Sequence, residues 1–208
     1  MLSYEDAFRL IKIRAEAMQK AAESGEGVMY AIIGPTPAEV EAACGQTEGY
    51  VVPVNYNSPV QTVIAGEAAA AEAAAELIKN TSTAKRVKAV KLNVASAFHS
   101  EIMRPAAEEF LSRTEGFAFA KPSCTFYSNV LGGRLDDFSD MRSLLARHIV
   151  SPVRFTDELA AMQAAGFDRF IECGPGKVLT GLVKKTLDGV RAVNIENAET
   201  LEKAFVQE

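Results

Sequence analysis

Arg14 and His99 are the two residues whose type and placement point most directly to chemistry. Arg14 lies four residues after Leu10 and four before Met18, so helical spacing puts it on the stripe of those apolar residues. A guanidinium there cannot lose its proton and needs an anionic partner. A structural ion pair, a side chain snorkelling to the edge, or a two-point clamp on a substrate carboxylate each meets that need. His99 stands in Ser96-Ala97-Phe98-His99-Ser100, between a strand and a helix. Strand-to-helix loops of α/β sheets are where ligands bind, and imidazole suits general-base work near neutral pH. A loop histidine serves equally as a cap or a surface residue. The second histidine, His148, falls near a helix end in Arg147-His148-Ile149-Val150-Ser151-Pro152-Val153, where its default role is to complement the helix dipole.

Gly174-Pro175-Gly176-Lys177 follows a strand and opens a helix, so its N–H groups can face an anion. It matches neither GxxxxGK(S/T) nor GxGxxG and reads better as a tight structural turn. Cys173, just before it, has no basic neighbour to favour its thiolate and reads as an inert buried thiol. No GxSxG occurs in the 208 residues, so no serine elbow of the α/β-hydrolase type is encoded in them. A candidate base and a candidate anion clamp are present without the nucleophile they would serve.

The elements that must position these residues are legible from periodicity. Residues 3–23 predict an amphipathic helix, with Ser3 and Asp6 as a capping box and Ala7, Leu10, Ile11, Met18 and Ala21 on one stripe. Ser24-Gly25-Glu26-Gly27 ends it. Then come a strand at 28–33, a helix at 37–44 capped by Thr36, strands at 50–57 and 61–65, an alanine-rich helix at 67–79 and a strand at 87–94. This β-α-β-β-α-β order is that of ferredoxin-like units. Beyond it, helices at 100–113, 139–149, 155–165, 177–187 and 198–206 alternate with strands at 125–130, 169–173 and 192–195. The alternation predicts a mainly parallel sheet, a buried strand at 169–173, and a ferredoxin-like segment inserted into a larger α/β body.

Composition narrows the function classes. A net charge of −5 argues against a general nucleic-acid binder. The three cysteines are far apart without CxxC, and there are only two histidines, which argues against a zinc site and suits a reducing cytoplasm. No apolar run approaches the roughly 18–20 residues of a membrane span. The first residues, MLSYEDAFRL, lack the basic and apolar segments of a signal peptide.

Six ordered segments carry a resemblance. They are Asn55-Tyr56-Asn57-Ser58-Pro59-Val60-Gln61, Ile64-Ala65-Gly66, Ala97-Phe98-His99-Ser100 with Met103 and Pro105-Ala106, Tyr127-Ser128-Asn129-Val130, Ser151-Pro152-Val153-Arg154, and Glu172-Cys173-Gly174-Pro175-Gly176-Lys177-Val178-Leu179. Together they resemble malonyl-CoA:acyl carrier protein transacylases over essentially the whole chain. The resemblance implies a partial α/β-hydrolase-like acyltransferase body, residues 1–26 and 96–208, holding a ferredoxin-like subdomain at 27–95. It implies malonyl transfer from the coenzyme A thioester to the phosphopantetheine thiol of acyl carrier protein, with no bound cofactor or metal. His99 matches the base that activates the family's serine, and Arg14 matches the malonyl-carboxylate clamp. Asn57 and Phe98 match substrate-contacting positions, Phe98 favouring malonyl over methylmalonyl.

The chain departs from the family in two respects. The serine elbow and the G-Q-G oxyanion segment are missing, since the match begins just downstream of the elbow helix. His148 stands where the family usually has the glutamine that helps orient the base. The expectation is therefore a C-terminal two-thirds that works with a complementing N-terminal chain, or a fragment. The alternative is a non-catalytic scaffold that binds carrier protein. Either way, exposed strand edges and apolar surface are expected.

Overall fold

The computed structural model describes residues 2–23 and 27–205. The expected helix stop at Ser24-Gly25-Glu26 and the final Val206 lie outside them. Helix α1 (Tyr4–Ala22) starts where Ser3 Oγ accepts the Asp6 N–H at 3.1 Å, as the sequence predicts. Strand β1 (Val28–Ile33) leads to α2 (Pro37–Gln46), which Thr36 and Glu39 close with a reciprocal capping box. Strands β2 (Val51–Ser58) and β3 (Gln61–Gly66), helix α3 (Ala68–Thr81) and strand β4 (Lys88–Lys91) complete the unit. The four strands lie in the order β2-β3-β1-β4 with every neighbour antiparallel, the arrangement of a ferredoxin-like sheet.

Alternation along β1 and β3 gives this sheet two buried faces. Val28, Tyr30, Ile32 and Ile64 pack against α2 and α3. Helix α3 comes close because it presents Ala70, Ala71, Ala74 and Ala75 rather than large side chains. Met29, Ala31, Val63 and Ala65 face the other way, onto Ala97 and Phe98 of the loop that carries His99. The sheet is thus the floor on which the candidate base stands.

After that loop, a 3-10 turn (Glu101–Met103) runs into α4 (Arg104–Arg113). Helices α1, α4 and α5 (Met141–Val150) share a cluster around Leu10, Ala17, Met103, Phe110 and Ile149. Ion pairs Lys20–Glu109 (2.8 Å) and Glu16–Arg113 (2.5 Å) tie α1 to α4 at the surface. Such exposed pairs stabilise by only about 0.2–1 kcal/mol each, so the buried cluster fixes the helix pair. Between α4 and α5 lies a short hairpin, β5 (Phe126–Ser128) with β6 (Gly133–Leu135). Then follow α6 (Phe155–Ala164), β7 (Arg169–Cys173), α7 (Val178–Thr186), β8 (Arg191–Ile195) and α8 (Ala198–Phe205).

Several expectations fail in this second part. Among the described residues the only parallel strand pair is β7 with β8, and the larger, four-stranded sheet is wholly antiparallel, so they form no extended parallel sheet. Strand β7 has no neighbour on its other edge among the described residues, and its residues alternate exposed and half-buried instead of being buried. Cys173 is accordingly exposed, not an enclosed thiol. Ile11 was expected on the buried stripe of α1 but is 64% exposed. It sits about 100° around the helix from Leu10, off the face that α4 covers. The expected apolar surface is present: Tyr4, Phe8 and Ile11 on α1, and Ile171, Val178 and Leu179 around β7 and α7, are all exposed.

The segment after α5 is pinned to the ferredoxin-like sheet. Val153 forms a parallel bridge with Asn55, its N–H donating to Val54 O (2.8 Å) and its carbonyl accepting from Tyr56 N–H (2.9 Å). Arg154 N–H in turn donates to Asn129 O at 2.9 Å. These bonds cover the β2 edge and hold the end of α5 beside the His99 loop.

Candidate active site

His99 is the one non-glycine residue with positive φ among the described residues, at 62°. Histidine tolerates this left-handed region better than most residues, but the conformation persists only where the surroundings impose it. Four bonds do so. Ser100 Oγ donates to Ala97 O (2.5 Å), Met103 N–H to Ser100 O (3.0 Å), Glu101 N–H to Tyr50 Oη (2.9 Å), and His99 Nδ1 to the backbone carbonyl of His148 (3.0 Å). Gly27 closes the loop from beneath, because a Cβ on it would lie 2.6 Å from that of Ala97.

A carbonyl oxygen only accepts, so the bond to His148 places the proton on Nδ1 and leaves the Nε2 lone pair as the basic site. Burial pushes the His99 pKa below its ordinary value; the bond to the His148 backbone opposes this and the Arg14 charge adds to it. The ring is therefore neutral at neutral pH and can accept a proton from a nearby hydroxyl or thiol.

Arg14 sits on α1 on the face turned toward this loop, within electrostatic reach of both histidines. Its side chain is half-buried and makes no hydrogen bond or ion pair with any described residue. The structural ion pair is thus ruled out among the described residues, while the clamp remains open. Burial lowers its pKa, yet a guanidinium stays charged, so among the described residues the site holds a cation without an ion-pair partner, suited to a carboxylate.

His148 departs from its default reading. It lies in the last turn of α5, but burial first, then the charges of His99 and Arg14, push its pKa down to about 4. A neutral ring cannot complement a helix dipole. Its ring lies 5.1 Å from that of His99, centroid to centroid, and the group that orients His99 is its backbone carbonyl rather than its side chain.

Phe98 is half-buried and belongs to two clusters at once, the floor of the ferredoxin-like sheet and the α1-α4-α5 cluster. Asn57 occupies an irregularity of β2, where the pairing register shifts between Tyr56 and Ser58. Such a bulge re-aims a side chain. No hydrogen bond joins Asn57 to Arg14, His99 or His148 among the described residues. The structure thus brings Arg14, His99 and His148 together and flanks them with Phe98, while among the described residues no hydrogen bond ties Asn57 to them. Sequence reasoning missed Tyr50, whose hydroxyl anchors the helix after His99, and the backbone role of residue 148.

The remaining candidates separate from this site. The Gly174–Lys177 turn is structural: Gly176 N–H donates to the Glu196 carboxylate (2.7 Å), and Glu172 caps α7 through the N–H groups of Leu179 and Thr180. No three His, Cys, Asp or Glu residues gather as metal ligands among the described residues, and no described helix is long and apolar enough to cross a membrane.

Residues 1–204 match the acyl transferase domain family. The malonyl CoA-acyl carrier protein transacylase of Haemophilus influenzae is 38% identical over 199 residues, covering 95% of this chain and 63% of that protein. The Bacillus subtilis protein of the same name is 37% identical over 207 residues, covering 98% of this chain and 64% of its own length. The crystal structure of the malonyl CoA-acyl carrier protein transacylase from Clostridium perfringens superimposes with a TM-score of 0.91 at 36% identity, covering 97% of this chain and 63% of that one. A malonyl-transacylase solved in complex with a type II polyketide acyl-carrier protein gives 0.90 at 35% identity, covering 98% and 65%. The chain thus spans just under two thirds of the proteins it matches.

Proposed function

The chain belongs to the acyl transferase domain family, and on that premise we propose that it supplies the base and the carboxylate clamp for malonyl transfer from malonyl-CoA to the phosphopantetheine thiol of acyl carrier protein. The setting is fatty acid or polyketide synthesis in the cytoplasm. The observation that carries this reading is the pairing of His99, protonated on Nδ1 by its bond to the His148 carbonyl, with the cation of Arg14, which has no ion-pair partner among the described residues.

The chemistry is two successive acyl transfers. His99 Nε2 takes the proton of a serine hydroxyl while the serine oxygen attacks the malonyl thioester carbon. The carbon–sulfur bond breaks, coenzyme A leaves as its thiolate, and His99 returns the proton to that sulfur. The carrier protein's thiol then repeats the exchange: His99 takes its proton, its sulfur takes the malonyl group, and the proton returns to the serine. Arg14 holds the malonyl carboxylate with two parallel bonds throughout. Phe98 and Asn57 contact the acyl group or its thioester arm. Residues 27–95 act as a small subdomain beside a larger body of residues 1–26 and 96–208.

The serine and its oxyanion donors come from a segment outside these 208 residues, either continuous with them or on a separate chain. That segment packs on the exposed apolar surfaces. One of them is a cavity of about 220 Å³ between α6, α7 and the β7–β8 pair, lined by Phe155, Leu159, Phe170, Ile171 and Leu179. The test is to mix this chain with a chain carrying a G-H-S-x-G elbow and assay malonyl transfer. The reading expects the mixture to exceed the sum of the separate chains. No gain, together with carrier-protein binding by this chain alone, would replace it with the scaffold reading that the absent nucleophile favours.

A further inference from the structure

The carbonyl that holds His99 belongs to a residue whose own side chain is incompletely satisfied. His148 Nε2 is buried and has no hydrogen-bond partner among the described residues. Asn129 Oδ1 is in the same condition. Both residues line one small pocket of about 90 Å³, whose walls also include Tyr127, Met141, Leu144 and Leu145. A buried polar atom left unpaired is costly, and here two residues carrying such atoms line the same pocket. Room for a water takes about 10–15 Å³ of such space and two or more polar partners, and this pocket has the room and two candidate partners.

We propose that Asn129 and His148 are positioning residues joined by a buried water, and that this bridge fixes the backbone carbonyl that orients His99. The water accepts from His148 Nε2–H and donates to Asn129 Oδ1. Asn129 is itself anchored, because its carbonyl accepts the Arg154 N–H at 2.9 Å and the adjoining Val153 is bonded to β2. The bridge therefore runs from the β2 edge through Asn129 and His148 to the Nδ1 of His99. It requires a neutral His148 with its proton on Nε2. The charged or titratable groups that act on that ring are Arg14 from α1 and His99 from the loop, and both favour its neutral form. The consequence for catalysis rests on reading His99 as the base; the bridge itself does not.

The test uses the chain alone. With only two histidines, nitrogen-15 labelling of histidine reports both rings, and His148→Gln assigns them. The wild type should show His99 protonated on Nδ1 and His148 on Nε2. Asn129→Leu should lose the single-tautomer pattern of His148 and broaden the Nδ1–H signal of His99. Asn129→Asp, nearly the same shape, should raise the His148 pKa by about one pH unit or more, because a carboxylate then faces the ring across the water. An unchanged tautomer pattern in Asn129→Leu, or an unmoved His148 titration in Asn129→Asp, would overturn the bridge. Because no serine and no transfer assay is involved, that failure is distinct from a failure of the proposed function.

Discussion

Glu158 offers a quantitative check on how the segment beside the active site is held. It lies in the first turn of α6, just after the Ser151–Arg154 stretch, is 8% exposed, and has one carboxylate oxygen buried without a hydrogen-bond partner among the described residues. Burial pushes its pKa from 4.5 up to about 7. Because the folded value is the higher one, the folded chain keeps this proton over a range where the unfolded chain has lost it. The stability linked to that proton is intact below pH 4.5 and is lost as pH rises from 4.5 to about 7. At about 1.4 kcal/mol per pH unit, the total is roughly 3 kcal/mol. Glu158→Gln keeps the shape and removes the titration. Its unpaired amide adds an offset that does not vary with pH, so the change with pH is the readout. Urea unfolding of the two chains should show the variant gaining about 2.5 kcal/mol on the wild type between pH 5 and pH 8. A difference that stays constant over that range would refute the assignment of Glu158 as a buried, unpaired carboxyl.

Three further outcomes follow from the packing. Gly27→Ala, at φ 94° and with its new Cβ 2.6 Å from that of Ala97, should destabilise the chain by about 1–3 kcal/mol and shift the His99 signals in the same titration. Phe110→Ala, at the fully buried centre of the α1-α4-α5 cluster, should cost about 3–5 kcal/mol in urea unfolding, a loss that frees α1 and with it Arg14. His148→Gln should leave the His99 tautomer intact and change malonyl transfer in the reconstituted mixture by less than ~3-fold, since the backbone supplies the bond and the glutamine amide can donate to the bridging water in place of Nε2–H; a loss of tenfold or more contradicts that.

What the sequence disclosed and what it hid follow a physical division. Ser3 with Asp6 and Thr36 with Glu39 announce their helices because a capping contact spans three residues. The strands of the ferredoxin-like unit are legible because β1 and β3 alternate between two buried faces. The expected parallel sheet does not form because strand partners are set by the whole chain, and among the described residues β7 with β8 is the only parallel pair of strands. The hairpin strand Gly133–Leu135 escaped notice because three residues carry no periodicity. At the site, residue types identified Arg14 and His99. The positive φ of His99, the Tyr50 anchor and the carbonyl of residue 148 are long-range consequences that no local pattern records.

The proposed transfer rests on Arg14 serving as a cation reserved for the acyl carboxylate, beside His99 as the proposed base. The direct measurement compares kcat/KM for malonyl-CoA and acetyl-CoA in the reconstituted mixture, with wild-type chain and with Arg14→Ala. A buried two-point bond to a carboxylate is worth about 2–4 kcal/mol, so the malonyl value should fall by roughly 30- to 1000-fold while the acetyl value changes little. Equal losses for the two thioesters would contradict it.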